Sequence, residues 1–167
     1  FTETILLFML VQVTALLGSA AWARATDTRG PKLVVTVTLV QWTAVTVLAY
    51  LVTAKGQFWV VAVLAGTGLG AIQAASRTFM ATLIPAGREA EFFGFYALVG
   101  KTGAILGPLV FGGVSRLLAG NQRAAIVAIG SFFVIGLALL APVRAGGPTG
   151  PRDGAAGARP VRDRQGP

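Results

Sequence analysis

The chain has 167 residues, 54% hydrophobic and only 12% charged, and a mean hydropathy of +0.73; soluble proteins carry roughly 25% charged residues, so a lipid bilayer is its expected solvent. It contains no cysteine and no histidine, which excludes disulfides, thiol chemistry, cysteine-held metals and the usual general base. Its six carboxylates (Glu3, Asp27, Glu89, Glu91, Asp153 and Asp163) fall mostly between apolar runs, and neither an enzyme nor a cofactor or metal is expected.

The net charge of +8 does not point to nucleic acid. The basic residues punctuate apolar runs instead of clustering with interleaved aromatics on a polar face. The chain opens at Phe1 with no basic n-region or cleavage site, so no signal peptide is expected; the expectation is either a missing upstream portion or a clipped gene product.

Five segments approach the ~20 apolar residues that cross a bilayer: 5–23, 33–54, 58–75, 92–114 and 124–143. They are too long and too uniformly apolar for barrel strands, which alternate over about ten residues. The expected fold is all-α, a polytopic membrane bundle of five transmembrane helices, with short connections that make neighbours antiparallel.

The first segment carries Gln12 and leads into the charged stretch Ala23-Arg24-Ala25-Thr26-Asp27-Thr28-Arg29-Gly30-Pro31-Lys32. In that stretch Asp27 suits helix N-terminal amides or a neighbouring arginine, Gly30 suits a tight turn and Pro31 a helix start. The second segment holds Gln41 and Trp42, and the third holds Gly66, Gly68, Gly70 and Gln73 with Arg77 just beyond. Gln41, Trp42 and Gln73 are candidates to line a solute pathway, or else to bridge helices.

In the fourth segment lie Gly100, Lys101, Gly103, Gly107 and Pro108. Gly66 and Gly70 in the third helix, and Gly103 and Gly107 in the fourth, have the small-residue spacing that lets membrane helices approach closely. Pro108 should kink its helix. Lys101 is the one charge inside a predicted span, about 13 Å past Phe92 and so near the bilayer centre, where it needs a cavity or a partner unless it snorkels. Arg77 is a candidate for a structural or gating pair with Glu89 or Glu91.

From Arg144 the sequence turns to glycine, proline and arginine, and residues 144–167 are expected to be a disordered tail. Lys and Arg counts orient the bundle. Ten (Arg24, Arg29, Lys32, Arg77, Arg88, Arg144, Arg152, Arg159, Arg162 and Arg164) fall on one side, and three (Lys55, Arg116 and Arg123) on the other. The larger group puts the tail and the first and third loops in the cytoplasm, in a bacterial plasma membrane.

Asp27, Gly30 and Lys32 match the loop motif G-x-x-x-D-R-x-G-R-K of the major facilitator superfamily, while Ala23, Thr28 and Pro31 depart from it. The ordered series Gln73-Ala74-Ala75-Ser76-Arg77, Leu83-Ile84-Pro85, Glu91-Phe92-Phe93-Gly94-Phe95-Tyr96, Gly100-Lys101 and Leu106-Gly107-Pro108-Leu109 resembles one branch of it. That branch holds the yeast vacuolar amino-acid effluxer of autophagy and bacterial relatives of unknown substrate. The likeness extends over nearly all of residues 1–143.

The resemblance implies helices eight to twelve of about twelve, with an N-terminal half as partner. It also implies transport of a small polar solute by alternating access, with amino-acid efflux as the yeast relative's example. Lys101 would fit a carboxylate or phosphate on that solute, and Asp27, Gly30, Lys32, Arg77 and Glu91 would belong to a cytoplasmic gate or loop. Two other readings stand beside it, a non-transporting membrane scaffold or accessory subunit and an inactive truncated remnant.

Overall fold

The computed structural model describes residues 2–85 and 87–144. The expected disordered tail, apart from Arg144, lies outside the described residues. Within them the chain is five α-helices and no strand: α1 (Thr2–Arg29), α2 (Pro31–Leu51), α3 (Gln57–Leu83), α4 (Glu89–Leu117) and α5 (Gln122–Leu140). All five are long and apolar enough to cross a membrane.

Several helices run further than apolarity alone predicts, because their ends are set by helix breakers. The stretch after Ala23 is helical, with the Thr26 and Thr28 hydroxyls bonding back to the carbonyls of Trp22 and Arg24. α1 stops only at Gly30, whose φ of 89° is open to glycine at little cost, and Pro31 then opens α2 as its first residue. Asp27 therefore lies in the last turn of α1 and not in a loop.

α3 likewise continues past Ala75 to Leu83. Ile84 before Pro85 is extended (φ −84°, ψ 127°), as the proline ring requires of its predecessor. α4 passes through Pro108 as one helix, although that ring removes the donor the Ala104 carbonyl would otherwise use. Between α4 and α5, Ala119 and Gly120 both take positive φ (53° and 84°), and the Asn121 side chain caps α5 by accepting from the Ala124 amide at 3.2 Å.

α3 is the hub. α1 packs chiefly against it, α2 packs against both α3 and α5, and α4 rests on α5 while touching α3 only lightly. Glycine makes the α1–α3 approach possible. A Cβ on Gly70 would stand 1.9 Å from the Ala15 carbonyl oxygen, one on Gly66 2.7 Å from that of Val11, and one on Gly18 2.5 Å from that of Thr67. With little hydrophobic drive between helices in lipid, this backbone-to-backbone contact is the main packing energy available.

A small core of Val34, Val35, Ala71, Ala75 and Phe79 joins α2 and α3, with Trp22, Leu39 and Leu140 against it. Trp42 stacks on Phe133 of α5 with ring centroids 5.5 Å apart. The outward surface is apolar, with Leu16 and Val99 about seven-tenths exposed, as lipid contact demands.

α4 differs from the rest. None of its residues is buried. Gly103 and Gly107, expected to seat a neighbouring helix, face open space, as do Gly94 and Gly100. No helix among the described residues approaches that stripe, because α4 is held on another side by α5.

Candidate functional site

Most polar side chains of the spans are used up within the bundle. The hydroxyls of Thr14, Thr36, Thr38, Thr43 and Thr46 bond back to carbonyls of their own helices. Gln41 gives its amide hydrogens to the Leu64 carbonyl (2.8 Å) and Thr67 Oγ1 (2.9 Å) of α3. It also packs with Trp42 against Gly68. Gln41 and Trp42 thus sit in the α2–α3 seam as bridges between helices.

The conspicuous exception is the face of α3 that carries Gln73 and Arg77, one helical turn apart and both exposed. Arg77 is six residues before Leu83, the last residue of α3, so its Cα lies about 9 Å inside the helix end. Two adjoining clefts share this pair. One, of about 360 Å³, is bounded on the α1 side by Gln12, Ala15 and Ser19. The other, of about 480 Å³, is bounded by Ser76 and, from α4, by Tyr96 and Gly100.

Ser76 Oγ and Tyr96 Oη share a hydrogen bond of 2.8 Å that ties α3 to α4. Both residues stand in the segments that carry the family resemblance, yet neither was singled out as a site residue. A hydroxyl in an apolar run gives no sign of which helix it will meet.

Lys101 follows Gly100 on α4, twelve residues from Glu89, and so about 18 Å from that end of the helix. It is exposed and makes no hydrogen bond or ion pair among the described residues. It does not itself line the cleft; an adjacent helical residue stands about 100° round the axis from Gly100.

The other charged candidates lie apart from Arg77. Glu91 pairs with Arg88, at 2.9 Å from Nε and 2.7 Å from Nη2, and Arg88 also lies over the Phe92 ring. That pair serves the start of α4, where a carboxylate favours the helix dipole. Arg77 has no acidic partner among the described residues.

Lys32 reaches from the first turn of α2 to the carbonyls of Ala141 and Val143 beyond α5. A cation there offsets the negative end of that helix and fastens α5 to α2. Asp27 is exposed and Gly30 makes the corner beside it. Asp27, Gly30 and Lys32 thus stand at the α1–α2 junction, in the last turn of α1, at the corner and in the first turn of α2.

Comparison with known proteins places the chain in a family. The family described as vacuole effluxer Atg22 like matches residues 2–146. An uncharacterized MFS-type transporter, YxiO of Bacillus subtilis, is 34% identical over 140 residues, covering 84% of this chain and 32% of its own. Autophagy-related protein 22 of Kluyveromyces lactis is 32% identical over 83 residues (50% of this chain, 17% of its own). The protein of that name from Cryptococcus neoformans is 38% identical over 69 residues (41% and 12%).

The chain thus spans about a third of the length of the Bacillus relative. No solved structure matches it significantly. With the family matching nearly the whole helical region, this chain belongs to the vacuole effluxer Atg22-like family of membrane proteins.

Proposed function

We propose that this chain supplies the C-terminal helices of a secondary transporter that moves a small polar solute by alternating access. The observation that carries the proposal is the open polar face shared by α1, α3 and α4, with Gln73 and Arg77 at its centre. In a bundle whose outward side chains are mostly apolar, such a face needs water, a solute or further protein against it. A two-half transporter meets that need by holding its site between the halves. Relatives named as transporters and effluxers support the same reading, and efflux of an amino acid is its finer form.

A scaffold or accessory subunit would account for the open glycines of α4, with Lys101 paired to a partner helix. Reconstitution separates the two. Joined to the N-terminal half implied by its family, the chain should support saturable uptake of a radiolabelled amino acid or similar small polar solute into liposomes. The 167 residues alone should show none. Saturable uptake by the isolated chain would exclude the two-half architecture, and no uptake by the joined halves across amino acids and small carboxylates would remove the transport reading.

The orientation belongs to the same proposal. The ends of α1, α3 and α5 face the cytoplasm and Lys55 the outside, on the ten-to-three count of basic residues. An alkaline phosphatase fused after Arg144 should be inactive in a bacterial host and one fused at Lys55 active; the reverse pattern would invert the model.

A further inference from the structure

The polar side chains that line the two clefts around Gln73 and Arg77 all carry hydrogen-bond donors, and none is a carboxylate; the rest of the lining is apolar or glycine. Arg77 carries five N–H donors, and none meets an acceptor among the described residues. The Gln73 carboxamide is equally unused there, since only the backbone carbonyl of that residue accepts a bond, from Ser76 at 3.4 Å.

The Ser76–Tyr96 pair has two hydroxyl protons and needs one for its 2.8 Å bond. If Ser76 donates to Tyr96, the phenol proton is left over. The alternative sends the serine proton to the Gln73 carbonyl through that much longer bond. The shorter contact can therefore leave an O–H at the cleft, beside an arginine fork and an amide.

From this we infer that Arg77, Gln73 and Tyr96 form an oxyanion subsite, taking a carboxylate or phosphate group. Arg77 supplies the planar two-pronged contact that such groups accept. Gln73, one turn deeper, supplies an amide donor, and Tyr96 a hydroxyl from α4. A cationic group is excluded by Arg77 and by the lack of any carboxylate in the lining. As an anion site it stands on this geometry alone; as a substrate subsite it also rests on the transport reading. The oxyanion comes from a free solute or, because Arg77 is only about 9 Å inside its helix end, from an anionic lipid headgroup.

The test uses the whole 167-residue chain in nanodiscs and follows its melting temperature. In phosphatidylcholine discs, acetate and inorganic phosphate are titrated separately at constant ionic strength against chloride. In a second arm, phosphatidylglycerol replaces part of the lipid and no oxyanion is added. We expect saturable stabilisation in at least one arm. Loss of a charge-assisted bidentate contact should weaken it at least about tenfold in Arg77→Gln, and loss of the phenol a few-fold in Tyr96→Phe, with partial retention in Arg77→Lys.

Melting in chloride alone serves as the folding control for each variant. A response to acetate or phosphate identifies a free oxyanion, and one to phosphatidylglycerol alone identifies the lipid headgroup. No response in either arm, or an equal response in wild type and Arg77→Gln, overturns the subsite. Uptake by the joined halves is scored separately. Loss of binding with uptake intact removes only the subsite, whereas binding without uptake removes only the transport reading.

Discussion

Gly70→Leu should detach α1 from the bundle and lower stability by about 3 kcal/mol or more, read as a fall in melting temperature in detergent. Even a Cβ at position 70 would meet the Ala15 carbonyl oxygen at 1.9 Å and the Ser19 amide nitrogen at 2.9 Å. Both are backbone atoms of α1, so no rotamer change relieves the clash and the helices must separate. Four residues earlier, Gly66 faces the same helix, and a Cβ there would meet Thr14 Oγ1 and the Val11 carbonyl. From the other side, Gly18 presses on the backbone of Thr67. Separation at one point therefore opens all three contacts, and α1 has only a lesser contact with α2 to hold it.

The internal control is α4. Gly100→Ala and Gly103→Ala add a methyl group into open space. They should leave the stability of this chain unchanged, or raise it by roughly 0.5–1 kcal/mol through helix propensity. If Gly70→Leu melted like wild type, the close approach of α1 and α3 would be wrong. The same α4 substitutions made in the joined halves carry separate information, since a large loss there would place a partner helix against the stripe.

The second large effect is on function. Lys101→Met should reduce uptake by the joined halves at least about tenfold, while the melting temperature of this chain stays where it was. The side chain is exposed near the middle of α4 and has no hydrogen bond or ion pair to lose among the described residues. A structural role inside this bundle is therefore small, within about 0.5 kcal/mol for such a surface position. Methionine keeps the length and removes the charge. Unchanged uptake would mean that Lys101 reaches the interface by snorkelling and would remove it from the pathway.

How much of this was legible beforehand follows from where each kind of information resides. Crossing a bilayer requires a local run of apolar residues, so the five helices and their all-α character were readable along the chain. Helix ends were less so, because apolarity and helicity are different properties. Residues 24–29 and 76–83 are too polar to count as span, yet nothing in them stops a helix. The residues that do stop one, Gly30-Pro31 and Ile84-Pro85, come only directly after these stretches.

Polar side chains were the hardest to place. Gln41 and Gln73 look alike in sequence, each a lone amide in an apolar segment. Packing sends the first to the Leu64 carbonyl and Thr67 and leaves the second open beside Arg77. Gly66 and Gly103 also look alike, but the first is pressed against α1 and the second against nothing among the described residues.

The sequence by itself determined the solvent, the class of fold, the number of spans and the family resemblance, because each depends on composition and on short runs read in order. Only the tertiary structure decided that Lys32 fastens the end of α5 across 109 residues of chain, and that Ser76 meets Tyr96 across two helices. The last of these pairings depends on which faces α3 turns to its neighbours. Those faces are chosen by the close approach of glycine-bearing backbones, a property of two helices together and of neither alone.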